Sequence, residues 1–301
     1  NKRAAAGSRL AQKTPKGKEC FTAQGMVPEM RFKQVMIALG KAACYTLLFI
    51  GTQLFVSYAA AVFMGIRSGL QILSGDSAPE AGALAEQMAD TLLGNAMLLT
   101  LISNALTLLI LLPVFAAQKK SYVREISLFP LVPGAIWPLV SGAMALAAVV
   151  ALVLALLPIP QELMEAYNNA AVGLGEPGLI SALSTVLFAP IAEEVIFRGL
   201  VYTRLRRAMP AALACVLSSL VFGLLHGQLL WIAYAFIMGV VLTLVFERTG
   251  TLWASIVVHV TFNLVGTYAV QYLPGSFFIL VLGLAGAAAS WNWITHLYPR
   301  A

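Results

Sequence analysis

The chain reads as an all-α, polytopic membrane protein with about eight transmembrane helices. Three observations predict this. Sixty per cent of the 301 residues are apolar and only 11% are charged, whereas a soluble domain carries about 25% Asp, Glu, Lys and Arg. Mean hydropathy is +0.85, which places the chain in lipid before any motif is read. Apolar runs close to the roughly 20 residues that a spanning helix needs recur along the chain.

Those runs lie near 42–66, 96–117, 131–157, 178–197, 211–226, 228–246, 251–270 and 275–290. The connecting segments test the count independently. The arm before the first run is strongly basic, and nine of the 19 Lys and Arg fall within the first 41 residues. The next connection carries Asp76, Glu80, Glu86 and Asp90 against Arg67, and the third carries Lys119, Lys120 and Arg124. The fourth holds Glu162, Glu165 and Glu176 with no basic residue, and the fifth holds Arg204, Arg206 and Arg207. Basic and non-basic connections alternate as eight spans require, and the basic ones are expected in the cytoplasm together with both termini. For a bacterial chain that means the inner membrane.

Charge placement also excludes a partner class. A net charge of +6 suggests nucleic acid only until the charges are located; most flank apolar runs and serve topology, while the arm is suited to anionic lipid. The organisation expected is a basic cytoplasmic arm over 1–32, three spans with polar loops over 33–177, a core of four spans over 178–270, and a last span with the C-terminus over 271–301. A short amphipathic helix is expected near 79–93 on the outer surface. No signal peptide is expected, because the first apolar run is too long and follows a long basic arm. Cys20, Cys44 and Cys215 show no CxxC spacing, so neither a disulfide framework nor a zinc knuckle is indicated.

The first half of the membrane region is almost free of ionisable groups; the second half is not. Glu193 and Glu194 lie in LISALSTVLFAPIAEEVIFRGLVY, His226 ends LSSLVFGLLH, and His259 lies inside TLWASIVVHVTFN, one turn before Asn263. A charge at helix depth costs about 2.5–3.5 kcal/mol even on the mildest scale, so such groups face protein-lined cavities and mark pathways or reaction sites. Glu194 and Arg198 are four residues apart and can pair on one helix face; this reads as a structural ion pair. Glu193 points about 100° away and has no local partner, which makes it the better candidate for chemistry. Phe222 and His226 share a face, as do His259 and Asn263.

Depth allows these groups to meet. Glu193 is 17 residues before Pro210 and His226 is 16 after it. If Pro210 turns a helical hairpin, both lie about 24 Å from the turn. His259, nine residues beyond Gly250, lies about 13 Å inside its own span. The levels coincide if the fourth and fifth helices protrude about 10 Å, which would leave Arg204, Arg206 and Arg207 in water. His226 would then sit at a connection within the membrane, acceptable only against protein or a wet cavity.

Two chemistries are open to such a set. Glu193, His226 and His259 could bind Zn²⁺ with an open position for water. Alternatively, Glu193 and His226 could activate water directly, while His259 and Asn263 donate hydrogen bonds to the oxyanion of a tetrahedral intermediate. An HExxH helix is absent. No Ser or Cys is placed as a covalent nucleophile; Cys215 reads as a packing residue, and Ser218 and Ser219 as interhelical hydrogen-bond groups.

Glu193-Glu194-Val-Ile-Phe-Arg198 resembles the EExxxR motif of the CPBP family, which comprises CAAX proteases and bacteriocin-processing enzymes. Phe222-Gly-Leu-Leu-His226 resembles its FxxxH motif, and His259-Val-Thr-Phe-Asn263 its HxxxN motif, in the family's order over roughly 178–270. The resemblance implies an eight-helix intramembrane endopeptidase similar to type II CAAX prenyl endopeptidases. It implies that Glu193 and His226 activate water, that His259 and Asn263 hold the oxyanion, and that Glu194, Arg198 and Phe222 support the site. It leaves metal use open.

The leading functional expectation is hydrolysis of a peptide bond in a membrane-associated peptide or a prenylated CAAX-type protein. A non-proteolytic regulator or bacteriocin-immunity protein acting through a membrane protein partner is the alternative. A proton-coupled transporter is disfavoured, because the first half lacks the matching polar positions of an inverted repeat.

Overall fold

The computed structural model describes residues 32–74, 80–172, 178–273 and 275–299. The arm up to residue 31, with Cys20, and the positions Asp76, Pro79 and Glu176 lie outside them. Among the described residues every regular element is helical.

The first helix, α1, spans Phe32–Leu73 with 42 residues. At 1.5 Å per residue it is about 63 Å long, more than the 40–45 Å or so of a bilayer with its headgroups. The predicted first span is therefore correctly placed but extends at both ends. Helix α2 (Ala81–Gly94) is the expected short polar-faced helix. It is followed by α3 (Ala96–Ala117), which packs against α1. Thr52 and Thr107 hydroxyls meet at 2.6 Å between them, the kind of polar glue that holds apolar helices together where lipid removes the hydrophobic drive.

Then follow the single turn α4 (Tyr122–Glu125), α5 (Ile136–Leu156) and α6 (Gln161–Val172). The fourth span, α7, runs Leu179–Arg206. Helices α8 (Ala211–Leu224), α9 (Leu229–Thr249), α10 (Leu252–Tyr268) and α11 (Phe277–Leu297) complete the bundle. Each of the eight predicted runs holds one helix. Six are long and apolar enough to cross a membrane, while α8 and α10 are shorter apolar helices. The chain is an integral, multi-pass membrane protein.

Helix α8 is short because the chain turns within the bundle. His226, Gly227 and Gln228 form that turn, with Gly227 at φ +72°, a left-handed conformation that costs glycine nothing. The Gln228 side chain caps α9 by accepting from the Trp231 amide at 3.0 Å. Helix α6 covers the turn, with Tyr167 edge-on to Trp231 at 6.1 Å between ring centroids. Gln228 and Trp231 are thus packed beneath α6, while Gly227 itself is exposed. Helices α8 and α9 form a close hairpin. A Cβ on Gly239 would come within 2.9 Å of Ser219 Cβ, so the glycine is what lets the two backbones approach. Gly239→Val is expected to destabilise the protein by about 1–3 kcal/mol through overpacking, read as a lowered thermal midpoint in detergent.

The basic connections gather at one end of the bundle, with one correction. Helix α7 continues nine residues past the predicted end at 197, and its arginines do not all stand in water. Arg204 is buried and paired with Glu125 of α4. Arg206 binds Glu247 at 3.0 Å, Tyr202 donates to the same carboxylate at 2.7 Å, and Arg207 alone is exposed. The reason is that α4 folds back over the end of α7, supplying a carboxylate that the sequence places 79 residues away. At the same end, the Leu252 amide donates to the Ser127 carbonyl at 2.9 Å, and the Thr251 hydroxyl donates to the Phe129 carbonyl. Burial there pushes the Tyr122 phenol up to about 12, so it stays neutral while its ring packs on Phe115.

Candidate active site

The site begins with a proline. In α7, the stretch Leu183–Phe188 widens to π-helical pitch just before Pro190, whose ring clashes with an α-helical carbonyl four residues back. In the wider register the Ala189 amide bonds to the Ser184 carbonyl. The Thr185 carbonyl would then pair with residue 190, and proline has no N–H to give. Asn263 of α10 takes that acceptor instead, its Nδ2 donating at 2.9 Å. The amide has a second N–H still to use.

A second π-helical stretch, Val195–Tyr202, follows the two glutamates. Such widened turns concentrate at functional sites, and here they bracket Glu193 and Glu194. The expected i, i+4 pair is present: Arg198 Nη1 donates to Glu194 Oε1 at 2.8 Å, with both side chains fully buried. Arg198 is held further by the Gly239 carbonyl at 3.2 Å, and its guanidinium lies 4.3 Å above the Phe222 ring centroid. A buried ion pair is tolerable only when such extra partners offset its desolvation.

The pair does more than orient its own helix. His259 Nδ1 lies 2.9 Å from Glu194 Oε1, so the carboxylate accepts from both Arg198 and the imidazole. That contact assigns the Nδ1 proton and fixes the ring, as a carboxylate does for a ligating or catalytic histidine. The other nitrogen, Nε2, faces Glu193 Oε2 at 3.7 Å, too long for a hydrogen bond. Glu193 retains 18% side-chain exposure. It therefore faces His259, and it keeps the partial exposure that its buried neighbour lacks.

His226 Nδ1 donates to the Phe222 carbonyl of its own helix at 2.9 Å, leaving Nε2 with a free lone pair. Phe222 is the common wall. Its ring centroid lies 5.0 Å from that of His226, 5.9 Å from that of His259 and 5.3 Å from that of Phe197. Both imidazoles thus lean on one phenyl ring, which also carries the guanidinium.

All seven residues singled out in the sequence occupy this region of α7, α8 and α10. Glu193, Glu194, Arg198 and His259 form one contact network; Asn263 is anchored to α7, and His226 joins through Phe222. Ser218 makes its expected interhelical bond, to the Phe197 carbonyl at 3.2 Å, and Cys215 is a buried free thiol in the core. Three parts escaped the sequence reading: Glu194 as the partner of His259, the Gly239 carbonyl behind Arg198, and the Thr185 carbonyl under Asn263. Only the last had a local signal, the proline five residues after Thr185.

The zinc alternative meets a geometric obstacle. Among the described residues no three His, Cys, Asp or Glu side chains are arranged to hold a metal ion. Glu193 and His259 face one another across 3.7 Å, but His226 does not complete a three-donor set with them.

Comparison with known proteins follows the same stretch of chain. Residues 175–265 match the family model described as Type II CAAX prenyl endopeptidase Rce1-like. The protein named "Putative membrane peptidase YdiL" of Bacillus subtilis is 30% identical over 77 residues, 26% of this chain and 32% of that protein. The match thus spans about a third of its curated relative. No solved structure matches the chain. The likeness is thus to the Rce1-like type II CAAX prenyl endopeptidase model, and it covers residues 175–265.

Proposed function

We propose that the protein is an intramembrane endopeptidase that hydrolyses a peptide bond by water activated between Glu193 and His226. The observation that carries this reading is the Glu193 carboxylate, partly accessible and facing the His259 imidazole at 3.7 Å, beside a buried carboxylate that orients that imidazole. The substrate class is a membrane-associated peptide or the prenylated C-terminal segment of a CAAX-type protein, brought to the bundle by the lipid it shares.

Each residue has a distinct task. Glu193 takes a proton from water as the oxygen attacks the scissile carbonyl. His226, with Nδ1–H committed to the Phe222 carbonyl, offers Nε2 to share and later return that proton to the leaving amine. His259, when protonated on Nε2, and the second N–H of Asn263 donate to the developing oxyanion. Glu194 and Arg198 hold His259 in place. The water and oxyanion steps need no ion, and none is routed through one. The end of the bundle bearing Arg206, Arg207 and Arg248 faces the cytosol in this reading, by the positive-inside rule, and both termini lie on that side.

The test is cleavage of fluorogenic CAAX-type peptides, with and without a prenyl group, by purified protein in proteoliposomes. Asn263→Leu is expected to lower kcat about 10²–10³-fold, the usual cost of losing one oxyanion donor, with little change in KM. A rise in KM at unchanged kcat would assign Asn263 to substrate binding and remove it from the oxyanion role.

A further inference from the structure

A groove away from the glutamates reaches α10 at Val258, about 100° around that helix from His259. Helices α5, α9, α10 and α11 enclose an apolar groove of about 230 Å³, lined by Leu139, Leu146, Leu244, Val245, Val258 and Trp291, among others. Small residues, Ala143 and Ala287 among them, line it where larger side chains would fill the space. Drug-sized ligands occupy about 300–1,000 Å³; this groove has room for one hydrocarbon chain. A peptide segment is a poor occupant, since an apolar lining leaves its backbone N–H and C=O groups unpaired.

Its rim carries a charge. Arg248 follows Leu244 by four residues and Val245 by three, hence lies one turn further along the same face of α9. Its Nη2 donates to the Thr295 carbonyl near the end of α11, 2.8 Å away, next in sequence to Ile294 of the groove wall. Among the described residues Arg248 has no carboxylate partner, and its buried Nε has no hydrogen-bond acceptor. Arg198, Arg204 and Arg206 are each paired with a glutamate, whereas Arg248 is bound to a carbonyl. Trp291, on the groove wall and partly exposed, sits where an interfacial aromatic belongs.

We infer that this groove binds an anionic phospholipid, one acyl chain lying between α5, α9 and α11 and the phosphate accepting from Arg248. The lining satisfies the chain and the guanidinium satisfies the phosphate; a lipid without phosphate, such as diacylglycerol, would fill the first and leave the second unpaired.

Native mass spectrometry of the full chain in mild detergent tests this, by titration with phosphatidylglycerol and diacylglycerol of equal chain length. Wild type is expected to bind phosphatidylglycerol at least about fivefold more tightly, the factor one basic side chain supplies at a membrane surface. Arg248→Gln should erase that preference and leave diacylglycerol binding unchanged. Ala287→Phe, with Arg248 intact, should weaken both lipids by filling the groove. Equal affinity for the two lipids in wild type, or a preference that survives Arg248→Gln, overturns the inference. So does binding of glycerol phosphate as tight as that of the intact lipid, which would mark a phosphate site with no chain. Binding of a neutral farnesyl compound as tight as that of phosphatidylglycerol and indifferent to Arg248→Gln overturns it too.

Discussion

Replacing Glu193 by Gln is expected to lower peptide hydrolysis by about 10²–10⁴-fold, the usual contribution of a positioned general base, while leaving the fold intact. The amide keeps the shape of the side chain and loses only its ability to accept the water proton. Little stability is at stake, because Glu193 is partly accessible and its nearest charged partner, His259, stands beyond hydrogen-bond distance. The measurement is the initial rate in proteoliposomes beside the thermal midpoint of the same preparation. Wild-type turnover in Glu193→Gln would sink the hydrolytic mechanism. A cellular phenotype that persists in the inactive variant would instead favour action through a membrane partner.

The neighbouring glutamate behaves in the opposite way. Glu194→Ala is expected to destabilise the protein by about 3–5 kcal/mol, because Arg198 is left as a buried charge without its counter-ion. Activity should fall as well, since His259 loses the acceptor that sets its tautomer. The two effects can be separated. Glu194→Leu combined with Arg198→Met replaces the pair with apolar groups of similar volume, a change often neutral for stability. The double variant should recover most of the thermal midpoint and remain inactive. Full activity in a stable double variant would show that the pair only packs the core and does not position His259. In the proposed mechanism adjacent carboxylates divide the labour: the accessible one reacts and the buried one supports.

Much of this was legible in the chain. Apolar runs and the alternation of basic and acidic connections placed all eight helices, because lipid forces every backbone group to bond within its own helix. Ionisable residues at membrane depth pointed to Glu193, His226 and His259, because burying them is costly without function. The i, i+4 spacing of Glu194 and Arg198 foretold their ion pair, since helix geometry alone brings those positions together.

Sequence determined which residues are unusual and which share a helix face; tertiary structure decided which of them touch. Nothing in the spacing says that Glu194 reaches His259, 65 residues away, that Arg198 finds the Gly239 carbonyl, or that Glu125 draws Arg204 out of water. Those contacts depend on how closely helices approach and how they rotate against one another. A glycine at 239 and a π-helical widening before Pro190 set these quantities locally. Periodicity fixes the face a residue occupies, but only packing fixes what stands opposite that face, and the chemistry of a membrane site lies between the faces.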